Sequence, residues 1–149
     1  MMFFGNKERE VIDIVLMSPL EGVLTYQGKP LPNKEMRLWL RWKDEEGENF
    51  TYVTDAEGRF SIPGHKVKDS LNPFAQLVIR QELTVEHDNS LFEVWIRSKL
   101  RPQLFTELNG RPVGLVCDLA AEEIAVKGEG SLGVSICRWE TLEKNSGEL

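Results

Sequence analysis

Gly22-Val-Leu-Thr-Tyr-Gln-Gly-Lys-Pro-Leu-Pro-Asn33, followed after a short interval by Thr54-Asp-Ala-Glu-Gly-Arg-Phe-Ser-Ile-Pro63, decides the fold class. In each phrase a strand-forming run meets a turn whose residues have defined backbone roles. Gly28 takes positive φ without a Cβ penalty, Pro30 and Pro32 each fix φ at about −65° and remove a backbone donor, and Asn33 suits the exit of the loop. In the second phrase Asp55 can close an Asx-turn and Gly58 supplies the left-handed position. Phe60 and Ile62 then alternate with Arg59 and Ser61, as a half-buried strand requires.

Outward from these phrases the period stays at two. Met36, Leu38, Leu40 and Trp42 alternate with Arg37, Trp39 and Arg41, which fits a strand with one covered face. Lys43 to Asn49 reads as an acidic hairpin loop, and Phe50 to Thr54 as the returning strand. The stretch from His65 to Pro73 has no period and reads as a connection with room for one helical turn. Leu77, Ile79, Leu83 and Val85 share a face opposite Arg80, Glu82, Thr84 and Glu86. Gln81 is the polar exception on that face, reaching a buried backbone group or marking a bulge. After a turn at His87 to Ser90, Leu91 to Ser98 pairs back with Phe92, Val94 and Ile96 inward, which puts Glu93, Trp95 and Arg97 outward.

Leu100 to Pro112 is a long irregular connection, a length at which loops are often functional. Val113 to Leu119 reads as a buried strand, Ala120 to Ala125 is too short for an independent helix, Gly128 to Gly133 is turn-like, and Val134 to Trp139 is a last strand. The pattern predicts a single all-β domain over 1–149, an antiparallel β-sandwich of about seven to nine strands with at most one short helix. Its core spans roughly 11–140, and the polar tail 140–149 is expected to fray.

The phrases GVLTYQGKPLPN and TDAEGRFSIP also resemble the carboxypeptidase-regulatory-like domains, small sandwiches of the transthyretin-like kind, over Ser18 to Pro63. Ile79-Arg-Gln-Glu-Leu83 and Gly114-Leu-Val-Cys-Asp-Leu119 are similar to segments of uncharacterised bacterial proteins of that architecture. The resemblance implies a transthyretin-like sandwich and no particular activity. Such folds include a hydrolase of purine breakdown that relies on several histidines and a C-terminal tetrapeptide, and the final Asn145-Ser-Gly-Glu-Leu149 departs from it.

Composition narrows the partners. The formal charge is −6, from 18 Lys and Arg against 24 Asp and Glu. An acidic chain is poorly suited to nucleic acid, whose binding depends on cations displacing phosphate counterions, and equally to an anionic membrane surface. The first residues lack the charged, apolar and small-residue succession of a secretory signal, so the expected location is cytoplasmic. Cys117 and Cys137 lie in strand-like apolar runs. They can pair if their strands are neighbours, but a reducing compartment favours two buried free thiols, and that is the working expectation. His65 and His87 are solitary and read as loop residues, so no metal site or cofactor is expected.

No arrangement of nucleophile and base is apparent, and an enzyme is not expected. The pattern points instead to a binding surface. Arg37, Trp39 and Arg41 with Trp95 and Arg97 form an outward aromatic and cationic face, the residue types that dominate interfaces. Asp44, Glu45, Glu46 and Glu48 add an acidic loop. The leading expectation is a non-catalytic protein-binding module for a basic partner, of the immunity type that neutralises a bacterial toxin by occlusion. The alternative is an accessory domain for carbohydrate or cell-surface polymer, with Trp39 and Trp95 stacking on sugar rings. A hydrolase is a distant third.

Overall fold

The computed structural model describes residues 9–144. Its strands, in chain order, are β1 (Ile12–Met17), β2 (Leu20–Tyr26), β3 (Lys29–Pro30), β4 (Glu35–Arg41), β5 (Glu48–Val53), β6 (Arg59–Ile62), β7 (His65–Asp69) and β8 (Ile79–His87). The remainder are β9 (Ser90–Lys99), β10 (Arg111–Val113), β11 (Val116–Asp118), β12 (Ile124–Gly128), β13 (Ser131–Ser135), β14 (Cys137–Arg138) and β15 (Thr141–Glu143). The described residues contain no helix.

The architecture is an all-β sandwich. One sheet has six strands in the order β12-β13-β9-β8-β4-β5. The second runs β14-β11-β2-β3, with β6 also paired to β2. All pairings are antiparallel except β11 with β2. Met36, Leu38, Leu40, Leu83 and Val85 of the first sheet share one core with Leu20, Leu24, Phe60, Ile62 and Cys117 of the second. The alternation expected for 36–42 and 79–85 is therefore present, and Gln81 does reach a buried backbone group, donating to Leu16 O at 2.9 Å.

The two opening phrases fold as their turn residues dictate. Asp55 Oδ1 accepts from Glu57 N and Arg59 N, both at 2.9 Å, and Gly58 has φ +77°. Gly28 has φ +81°, and its turn is clamped from outside by Asp118. That carboxylate accepts from Thr25 Oγ1, Gln27 N, Gly28 N and Ala120 N. Partial burial pushes the Asp118 pKa up, but these four donors outweigh it and the net shift is downward.

Several expectations are corrected. His65–Asp69 is not a connection but a strand paired with β1, although its sequence, His-Lys-Val-Lys-Asp, shows no clean alternation. Thr141–Glu143, expected to fray, pairs with Arg111–Val113; residues 145–149 of that tail lie outside the described residues. Cys117 and Cys137 are not free thiols. They are direct partners across β11 and β14, with Cα atoms 4.0 Å apart, and form a disulfide.

The largest correction concerns β9. Leu83 pairs with Trp95 while Thr84 pairs with Glu93, so Val94 is an extra residue, a β-bulge. A one-residue insertion exchanges the faces of everything beyond it. Phe92 and Val94 point inward as expected, but Trp95 and Arg97 do too, at 2% and 0% exposure, and Lys99 follows them at 0%. Their outward placement is overturned.

Burying Arg97 and Lys99 requires partners, since an unpaired interior charge is very costly. The connection after β9 and Ser131 of β13 provide them for Lys99 and for Arg97 Nη2, while Arg97 Nε and Nη1 are buried without a hydrogen-bond partner among the described residues. Lys99 Nζ donates to Val15 O, Arg101 O and Gln103 O at 2.6–2.8 Å. Arg97 Nη2 donates to Ser131 Oγ at 2.7 Å and to Glu107 O at 3.3 Å, and its guanidinium carbon lies 5.9 Å from the Trp95 ring centroid. The buried Glu107 carboxylate accepts from Ser18 N, Ser18 Oγ and Gln81 Nε2, and Trp95 Nε1 donates to Gln81 Oε1. The irregular segment 100–110 is thus a structural clasp that ties β1 and the end of β9 together.

Two measurements check this account. The disulfide closes a separation of 20 residues, so the Cys117→Ala/Cys137→Ala variant should lose about 3 kcal/mol in urea titration against the oxidised chain. Desolvation holds the Lys99 pKa down to about 8, only partly offset by Glu107. Between about pH 8 and 10.5 the unfolded chain keeps a proton that the folded chain has released, so this group's contribution to stability rises with pH. Wild type should therefore gain on Lys99→Met across that window, by about 2–3 kcal/mol in urea titrations from pH 7 to 10.

Candidate functional site

The β4–β5 hairpin carries the acidic loop, and its shape follows from a few local bonds. Asp44 N donates to Trp42 O at 2.9 Å and Gly47 N to Asp44 Oδ1 at 2.7 Å. Gly47 has φ +69°, and a Cβ there would lie 2.6 Å from Trp39 Nε1 and 2.7 Å from Leu40 O, so only glycine fits. Trp39 Nε1 donates to Glu46 O at 2.9 Å. The half-buried Trp39 is therefore a support for the loop.

The predicted interface divides accordingly. Arg37 and Arg41 are exposed on the outer face, Arg37 bound to Glu35 at 2.9 Å and Arg41 with its guanidinium carbon 5.7 Å from the Trp39 ring centroid. Trp95 and Arg97 lie inside the sandwich and join no outer face. Asp44, Glu45, Glu46 and Glu48 are exposed. Apart from the bond from Gly47 to Asp44, their carboxylates make no hydrogen bond or ion pair.

Beneath this loop, on the side away from Trp39, lies a cleft of about 480 Å³. Leu16, Leu40, Trp42, Phe50 and His65 form its walls, with Asp44, Glu48, Lys43 and Lys66 at the mouth. The two cations are partnered: Lys43 Nζ is 2.6 Å from Asp69 Oδ2 and 4.8 Å from the Trp42 ring centroid, and Lys66 Nζ is 3.6 Å from Asp13 Oδ2. The hydrogen bond from Lys43 holds the Asp69 carboxyl below its ordinary range.

His65 shares a 2.6 Å hydrogen bond with Tyr52 Oη and packs on Phe50 at 4.3 Å between ring centroids. Burial pushes its pKa down, partly opposed by the negative charge of Glu48, and burial raises that of Tyr52. At neutral pH the cleft thus has an uncharged aromatic wall beneath a mouth where Asp44 and Glu48 stand beside two partnered lysines. His65 opens β7 and His87 ends β8, so neither sits in a loop as expected. Trp42, Phe50, Tyr52 and His65 were not among the predicted site residues. No local pattern marks them as a group, because β7 is placed by its pairing with β1.

A second hollow, about 410 Å³, lies beyond Trp42 against residues 70–78. A third, about 700 Å³, is between β2, β6 and the β10–β15 ribbon, where Glu21, Asp55 and Glu143 interleave with Arg59 and Arg111 and no single charge dominates. Among the described residues, no three His, Cys, Asp or Glu side chains converge to hold a metal ion.

Residues 20–122, from β2 to the turn before β12, match the family model for a domain of unknown function, DUF6795. The chain belongs to that family. No curated protein and no solved structure matches it. The matched span of this DUF6795 chain includes the acidic hairpin, all of the cleft lining but Leu16, and segment 100–110, and stops before Cys137.

The proton equilibrium of His65 tests the cleft. Its ring should titrate below pH 6.5 by NMR, and Glu48→Gln should lower the midpoint further. Because the folded pKa is depressed, the unfolded chain takes up the proton first, and stability is lost as pH falls through the region below 6.5.

Proposed function

We propose that this chain is a non-catalytic protein-binding module that engages a basic partner, acting like an immunity protein that neutralises a bacterial toxin by occluding it. The observation that carries the reading is the exposed acidic loop of Asp44, Glu45, Glu46 and Glu48, of which Asp44 and Glu48 reach the mouth of a cleft walled by Trp42 and Phe50. Unpaired exposed carboxylates steer a cationic surface into encounter, while aromatic area in a concave site supplies retention. The Cys117–Cys137 bridge supports action in an oxidising compartment, against the cytoplasmic expectation. The carbohydrate reading loses its support, because Trp95 is interior and Trp39 carries the loop.

Affinity capture from the source organism, followed by identification of the captured protein, gives the reagent for the test. Reversal of Asp44, Glu45, Glu46 and Glu48 to Lys should slow association with that protein by about tenfold or more at low salt and flatten its salt dependence. Trp42→Ala should chiefly raise the dissociation rate. Unchanged association kinetics in the charge-reversed variant would remove the acidic loop from the binding surface.

A further inference from the structure

Residues 70–78, Ser-Leu-Asn-Pro-Phe-Ala-Gln-Leu-Val, hold no charged side chain in a chain that is 28% charged. Their centre is a defined turn. Ala75 N donates to Asn72 O at 3.1 Å and Phe74 N to Asn72 Oδ1 at 2.9 Å, while Pro73 restricts φ between them. This turn holds Phe74 at its apex, 94% exposed, more than any other large apolar residue described. Immediately beside it is the hollow of about 410 Å³, walled by Trp42, Leu71, Leu77 and Val78.

We propose that this patch is the two-fold interface of a homodimer, in which each Phe74 seats in the hollow of the other copy. A contact between identical surfaces needs a projection and its receptor side by side in one patch, and this patch has both. Charge selects the occupant. Two chains of charge −6 repel at most faces, but here the turn is uncharged and Lys43, the charged residue lining the hollow, is paired with Asp69 at 2.6 Å and neutral as a unit. A basic partner gains nothing electrostatic from a surface without carboxylates, so this patch is separate in kind from the acidic rim. Each Phe buries on the order of 200 Å², so the contact falls below the roughly 1,200 Å² of a tight complex. The dimer is therefore weak and concentration-dependent.

Sedimentation equilibrium of the full chain from about 5 μM to about 1 mM provides the test. The average mass should rise from the 17.1 kDa of one chain toward twice that value. Phe74→Glu should raise the dissociation constant by about 30-fold or more, and Phe74→Ala should weaken the dimer in the same direction. Both should leave the circular-dichroism spectrum unchanged, since the side chain has almost no contacts to lose. A monomer at every concentration, or a dimer that survives Phe74→Glu, overturns the proposal. So does a monomer that floats with phosphatidylglycerol vesicles through Phe74, which would make the turn a lipid anchor. None of these readouts requires the partner of the acidic loop, so this proposal and that one fail independently.

Discussion

Two buried cations govern this fold. Arg97 and Lys99 stand on the inner face of the larger sheet, where desolvation lowers the pKa of both side chains and the charged form persists only if the chain surrounds it with acceptors. The acceptors are main-chain carbonyls of β1 and of the segment after β9, together with Ser131 Oγ, and the Glu107 carboxylate lies in the same network. An otherwise irregular connection is thereby given one conformation. The interior of this end of the sandwich is a polar lattice, while the opposite end is an ordinary apolar core.

The inward position of those cations traces to one residue. Strand alternation is a parity rule, and an inserted residue inverts it without changing the local composition. From Leu91 to Val94 the parity read from the sequence and the parity of the structure agree. Past Val94 they are opposite. Nothing in Phe-Glu-Val-Trp-Ile-Arg marks the insertion, because Trp and Arg are acceptable on an outer face and become interior only through the distant Gln81, Ser131 and Glu107. The turns at Asp55–Gly58 and Gly28 were legible because their determinants are local backbone conformations. The same holds for Met36 to Leu40, whose alternation runs without a bulge.

The candidate site shows a similar division. The acidic loop was legible as a loop and as a concentration of carboxylates. Its cleft was not, because the opposite wall comes from β7, whose pattern is weak and whose position is fixed by pairing with β1 some fifty residues earlier in the chain. Trp39 and Trp42 keep the faces that alternation implies, but their contacts are not legible in it. Trp39, on the outer face, is occupied by a hydrogen bond to Glu46 O. Trp42, at the turn, walls the cleft. Cys117 and Cys137 illustrate the same limit, since twenty residues of separation become direct opposition only once β11 and β14 are adjacent.

In the proposed binding role, the rim and the wall of the cleft would divide the work of recognition because their electrostatics differ. Carboxylates in water act over roughly a Debye length, about 8 Å at physiological salt, and so bias approach more than they bind. The wall acts only at contact, and it acts best uncharged. Burial of His65 against Phe50, with its hydrogen bond to Tyr52, keeps a group that could be cationic neutral near pH 7. Were His65 protonated, it would cancel part of the field of Glu48, where the proposed role brings a cationic side chain. Its partial desolvation therefore preserves the negative field of Glu48, so in the proposed role the packing of β7 against the hairpin bears on binding together with the carboxylates.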